Sequence, residues 1–152
     1  MQEQHKPFWC RFLTDTGRDP ATPCYESFHF GDNCEDATEL ARLALGGSKH
    51  ATAGLLWLNQ SQGLPLPQPG SLSVLTWFDG TPVAVIETIQ VEVVPFEEVS
   101  AEFAAAEGEG DLSLTQWRKS HWSFFSTICR HIGRTPSLRM PVICEYFAVI
   151  HR

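Results

Sequence analysis

Lys49 stands three residues before Thr52 in the stretch "LGGSKHATAGLLWL", residues 45–58. Two glycines precede the lysine and an apolar run follows it, so the amine sits where the chain turns from a helix end toward the interior. Two physical roles suit such a residue. A cation there complements the negative end of the preceding helix. A half-buried amine beside a hydroxyl can instead serve chemistry. A threonine hydroxyl is a weak nucleophile until a base takes its proton, and a lysine becomes that base when burial or a neighbouring cation lowers its pKa. Thr52 by itself is an ordinary strand residue.

A second stretch carries charge of one sign. Between Leu112 and Cys144 there is no acid, whereas Arg118, Lys119, Arg130, Arg134 and Arg139 are basic. The whole chain has a net charge of −7, which argues against a polyanion partner. Contacts with phosphate depend on the local field, however, so an acidic protein can carry one cationic face. The same run reads equally well as solvated charge on a helix and a loop.

The elements that must position these groups follow from periodicity and punctuation. In "PFWCRFLTDT", Pro7 opens a helix with Phe8 and Phe12 one turn apart, and Gly17 and Pro20 end it. "TPCYESFHFGDN" reads as a bend or short strand leading to the helix caps Asp32 and Asn33. Ala37, Leu40, Ala41 and Ala44 share one side of a helix over about 35–45, closed by Gly46 or Gly47. "ATAGLLWL" then reads as a buried strand and "NQSQGLPLPQPG" as a loop. "SLSVLTWF" and "TPVAVIETI" flank Asp79-Gly80 as a hairpin, and "QVEVVPF" continues that sheet past a bulge or bend. A helix from Glu97 to about Ala106, an acidic turn, and a long amphipathic helix over about 112–131 precede the last strand, "PVICEYFAVIH". Strands in the middle and at the C-terminus, separated by helices, predict one α+β domain with a curled mixed sheet or small barrel flanked by helices.

With 152 residues, 43% hydrophobic and 19% charged, the chain is a single globular domain able to bury its own core. It has no apolar stretch long enough to cross a bilayer. "MQEQHKPFWCRF" lacks a basic region followed by an apolar core, so a cytoplasmic protein without membrane partners is expected. Five widely spaced cysteines without a C-x-x-C pair predict reduced, small apolar side chains rather than disulfides or a zinc knuckle.

Gly47-Ser48-Lys49-His50-Ala51-Thr52, between a helix and "GLLW", resembles the Gly-x-Lys-x-x-Thr motif of the ASCH domain family, a relative of the PUA fold. Phe30-Gly31-Asp32, Pro69-Gly70, and Glu107-Gly108 followed by "LTQWRKSHWSFF" support the likeness, which spans nearly the whole chain and looks like the longer bacterial type. The resemblance implies one ASCH domain over 1–152 with an N-terminal helical extension of about 1–30. It also implies a mixed β-barrel whose cleft holds the lysine. The implied partner is single-stranded RNA or a modified nucleoside. Small members resemble amidohydrolases that deacetylate N4-acetylcytidine, longer ones ribonucleases, and others non-catalytic RNA-binding modules. Gly54 stands where the small amidohydrolases tend to carry arginine.

Two chemistries fit these residues. For an amide hydrolase, Thr52 is the nucleophile, Lys49 its base and Glu107 the proton shuttle, with no cofactor required. A close Glu107 carboxylate works against that assignment, because it favours a charged Lys49. For a ribonuclease, the ribose 2′-hydroxyl attacks, a charged Lys49 stabilises the phosphorane and His121 acts as acid or base. Arg118, Lys119 and Ser123 then contact the nucleic acid. Glu107, Glu109 and Asp111 could hold a manganese or magnesium ion in that case. The plain alternatives are that His121 is a packed, hydrogen-bonded residue and that Glu107 and Asp111 merely favour a helix N-terminus. The ribonuclease leads among these expectations, with the amidohydrolase and the binding module as alternatives; the oligomeric state is not expressed in the sequence.

Overall fold

The computed structural model describes residues 2–152. Helix α1 (Lys6–Thr16) follows a short 3-10 turn, with Pro7 in its first turn and Gly17 closing it at φ 64°. The brief strand β1 (Ser27–Phe28) leads into α2 (Cys34–Leu45), whose N-cap is Asn33, its side chain accepting from the Asp36 amide. Strand β2 (Ala51–Leu55), α3 (Leu56–Gln62), β3 (Leu72–Thr76) and β4 (Pro82–Pro95) come next. After a 3-10 turn at Phe96–Glu98 come α4 (Ala101–Ala106), α5 (Leu114–His131) and β5 (Pro141–His151). Ser100 and Ser113 cap α4 and α5 through their side-chain oxygens.

The five strands form one sheet in the order β1-β3-β4-β5-β2. Only β1 and β3 run parallel; the other neighbours are antiparallel. Long β4 and β5 are the spine, and register shifts after Val85 and Thr88 bend β4. The sheet is open, with β1 at one edge and β2 at the other. The closed barrel expected from the sequence is therefore corrected to an open mixed sheet flanked by helices. A second correction concerns "ATAGLLWL": the strand stops at Leu55, and Leu56 begins a helix.

Alternation along β5 distributes the core. Val142 and Cys144 meet Phe103, Trp117 and Phe125 of α4 and α5, whereas Phe147 and Val149 meet Ala41 and Ala44 of α2. Helix α1 adds Trp9, Phe12 and Leu13 against Leu72, Val74 and Val85. The two larger clusters place α2 and α5 on either side of edge strand β2. All five cysteines are free, with Cys129 and Cys144 buried as apolar side chains. Among the described residues no helix is long and apolar enough to cross a membrane.

One polar pair sits in this frame at a cost. Burial, with the charge of Glu145 nearby, pushes the Glu26 carboxyl up to about 7, and burial also raises Glu145, only partly opposed by the Thr88 hydroxyl donating to it at 2.6 Å. The folded state thus holds a proton on Glu26 that the unfolded chain releases near pH 4.5, so stability falls as pH rises from about 4.5 through about 7. Glu26→Gln should therefore stabilise the protein by roughly 3 kcal/mol at pH 8 and by almost nothing at pH 4, as measured by urea unfolding.

Candidate active site

The site is assembled where three backbone segments meet. After α2, Gly47 turns the chain at φ 84°, and the Ser48 and Lys49 amides both donate to the Leu43 carbonyl. The His50 amide donates to the carbonyl of Ala106 at the end of α4, and the Phe147 amide to the carbonyl of His50. The turn after α4 packs directly on this segment. A Cβ on Gly108 would lie 2.4 Å from the Ser48 carbonyl oxygen, and its φ of 70° is also in the left-handed region. Only glycine permits that approach. As a result Glu107 and Glu109, on either side of Gly108, both reach Lys49.

The Lys49 amine donates to Glu107 Oε1 at 3.2 Å and to Glu109 Oε1 at 2.7 Å. It also lies 4.8 Å from the centre of the Phe30 ring. Its side chain is 1% exposed, that of Glu107 2%, and that of Glu109 27%. Glu107 Oε1 accepts a second bond from the Ala53 amide at 3.0 Å, which satisfies an outward-pointing N–H of edge strand β2. Glu107 Oε2 accepts from Trp117 Nε1 and faces His121 Nε2 at 3.0 Å. The other nitrogen of His121 lies 3.0 Å from the Trp117 carbonyl, so both ring nitrogens are placed as donors. The ring stacks on the Trp117 indole, with centres 4.1 Å apart and an interplanar angle of 12°.

Burial pushes the Glu107 carboxyl up; the Lys49 charge, the bond and charge of His121, and the Trp117 indole together reverse that and hold it at about 2. Glu107 is thus a fixed anion at neutral pH, and Lys49 is paired as an ammonium with two carboxylates. The roles of neutral lysine base and Glu107 proton shuttle do not fit this resting arrangement. The other role offered to Lys49, complementing the end of α2, falls to Arg152, which donates to the Leu45 carbonyl at 2.7 Å.

Above the Lys49–Glu107 pair lies a cavity of about 450 Å³ between α2 and α5. Thr52, His121 and Ser123 line it, as expected of functional residues, and so do Phe30, Leu40 and Leu43. Five carboxylates border it, those of Asp32, Asp36, Glu39, Glu107 and Glu109, against Lys49 and His121, and no arginine does. Arg118 and Lys119 are not part of this wall. Arg118 donates to the Glu97 carbonyl, and Arg139 pairs with Glu97 and Glu98, so these cations belong to the outside of α5 and the turn after β4.

The acids of the turn do not converge as metal ligands. Glu107 and Glu109 share a lysine, the Asp111 carboxylate accepts from the Ser113 amide, and no group of three metal-ligating side chains exists among the described residues. This donor set does not fit the manganese or magnesium ion considered from sequence. Sequence reasoning missed the acidic wall from α2, the Glu109 contact with Lys49, and the Trp117 N–H. Glu107, Trp117 and His121 all stood in stretches that supported the resemblance, but nothing in their spacing showed that they share one hydrogen-bond network.

Removing one partner of a buried pair leaves the other uncompensated. Lys49→Met is expected to destabilise the fold by about 3–5 kcal/mol, and adding Glu107→Gln should recover part of that loss in a double-mutant cycle. Because the Glu107 value is depressed, its contribution is full above about pH 4.5 and disappears as pH falls through about 2. Acid-unfolding curves of wild type and Glu107→Gln should therefore converge at low pH.

A model of the ASCH domain matches residues 26–151. The chain is similar to the crystal structure of an ASCH domain from Lactobacillus crispatus JV V101, with a TM-score of 0.91 and 32% identity over 100% of this chain and 97% of that one. It is also similar to protein EF3133 from Enterococcus faecalis V583, with a TM-score of 0.88 and 29% identity over 99% and 90% of the respective chains. The hypothetical protein PH0355 shares the fold alone, at a TM-score of 0.52 and 14% identity over 82% of this chain and 96% of its own. No protein of curated function matches the sequence. The matched span holds Lys49, Thr52, Glu107 and both helices that wall the cavity, and the chain belongs to the ASCH domain family.

Proposed function

We propose that this ASCH domain is an amide hydrolase that removes an acyl group from the exocyclic amine of a modified nucleoside, with N4-acetylcytidine as the representative substrate. The observation that carries this reading is the buried Lys49–Glu107 pair at the floor of a small acid-bordered cavity whose wall includes Thr52. A cavity of about 450 Å³ lies in the range of small-molecule sites. Phe124, Leu40 and Leu43, all partly exposed, supply apolar surface for a base, and the carboxylates accept hydrogen bonds from ribose hydroxyls and base amines. Thr52 is the nucleophile. Lys49 and Glu107 hold the surrounding groups in register, and no cofactor is needed.

Single-stranded RNA fits this cavity less well. Each phosphate brought in would meet five carboxylates, and the cations that could draw a polymer, Arg118 and Lys119, lie outside the wall. The same contrast weakens the reading as a non-catalytic RNA-binding module.

Purified protein should release cytidine from N4-acetylcytidine, followed by chromatography, and Thr52→Val should lower kcat/KM by at least about 100-fold without altering thermal stability. KM should change little between low and high salt, because the substrate carries no phosphate. Cleavage of labelled single-stranded RNA, with N4-acetylcytidine left intact, would replace this reading with a ribonuclease; salt-sensitive RNA binding without turnover of either substrate would replace it with a binding module.

A further inference from the structure

Strand β4 outruns its neighbour on one side. Strand β3 pairs with it from Pro82 to Glu87, and the Thr88 amide and carbonyl are taken by Ser71 and Gly70. Strand β5 accompanies it as far as Pro95. From Ile89 onward, the side of β4 away from β5 has no strand beside it.

The register fixes which way each peptide group points. The Phe147 amide donates to the His50 carbonyl, so Glu145 and Ile143 also turn their backbone groups toward β2. Tyr146, Cys144 and Val142 then face β4, opposite Gln90, Glu92 and Val94. The N–H and C=O of Val91 and Val93 therefore point outward. So does the Ile89 carbonyl, because it shares a peptide group with the inward Gln90 amide. Among the described residues, no hydrogen bond reaches the Val91 or Val93 amide.

The side chains leave this edge open. Ile89 is 55% exposed and Val93 37%, and Gln90 and Glu92 are exposed as well. Edge strands are usually guarded by lysine, an internal proline, a bulge or a covering element. The run "IQVEVV", residues 89–94, has no lysine and no proline, and its valines and isoleucine favour strands. The bulge of β4 lies at the start of the run, and Pro95, which has no N–H, ends it.

We propose that this edge pairs with the same edge of a second copy of the chain, antiparallel about a two-fold axis at Val91. A second copy fits because the run is complementary to itself. Each Val91 amide donates to the Val91 carbonyl of the other copy, and each Val93 amide to its Ile89 carbonyl. Both outward amides of each strand are then satisfied. Exposed Ile89 lies against Val93, and the Gln90 amide against the Glu92 carboxylate. Moving the axis to Glu92 makes as many bonds but sets Glu92 directly against Glu92, which is unfavourable. Charge thus selects the Val91 register. Strand β2, which carries Thr52, lies two strands from β4, so the pairing does not run through the cavity.

Sedimentation velocity of the full chain between about 1 µM and 1 mM should show a reversible monomer–dimer equilibrium, weak because the ladder is short, with Kd of about 10⁻⁵–10⁻⁴ M. Hydrogen exchange at the Val91 and Val93 amides should slow as concentration rises. Val93→Lys should weaken the dimer by about tenfold. Gln90→Lys should tighten it by about three- to tenfold, because each new ammonium faces Glu92 of the other copy; with the axis at Glu92 it would face Val94 instead. A chain that stays monomeric at the highest concentration overturns the proposal. Binding of a synthetic Ile89–Val94 peptide by that monomer would assign the edge to a strand of another protein. A dimer whose affinity neither substitution alters also overturns it, because the contact then lies elsewhere.

Discussion

The carboxylate of Glu107 is the point on which this structure depends. Four donors from three parts of the chain converge on its two oxygens: the Lys49 amine, the Ala53 amide of the edge strand, and the Trp117 indole and His121 ring of α5. An ionised group with 2% of its side chain exposed would be strongly unfavourable alone. Here the donors outweigh desolvation, and in doing so they tie α4, β2 and α5 to the segment that follows α2. Folding and construction of the site are therefore one event. A partly satisfied network of this kind would be worse than an apolar core.

This arrangement also divides labour between two glutamates two residues apart. Glu107 is saturated and buried, and it fixes geometry. Glu109 shares the lysine but lines the cavity with 27% of its side chain exposed. Gly108 makes the division possible, because the turn comes so close to Ser48 that no side chain fits there. The negative border of the cavity, drawn from α2 as well as from this turn, then sets the class of ligand. Neutral molecules with hydrogen-bond donors are favoured over polyphosphates.

Much of the local structure was legible because local rules decide it. Asn33 caps a helix, Asp79-Gly80 turns the hairpin, and the apolar side of α5 through Trp117, His121 and Phe125 is buried. Lys49 and Thr52 of the motif both line the cavity. What the sequence did not express is non-local. An open sheet and a closed barrel share the same strands and differ only in whether the edges pair. The short helix α3 was hidden because "LLWL" is apolar without a clear period. The contact between Lys49 and Glu109 spans 60 residues, and the cationic run from Leu112 to Cys144 is turned outward by helix geometry that composition cannot reveal.

The central claim is that Glu107 is a permanently ionised anchor. Carbon-13 NMR of glutamate side-chain carboxyls, followed as pH is lowered while the protein stays folded, tests it most directly. The account predicts a Glu107 resonance that keeps its ionised position down to about pH 3, because its carboxyl is held at about 2. A Glu107 carboxyl that titrates at pH 4.5 or above in the folded protein would contradict it.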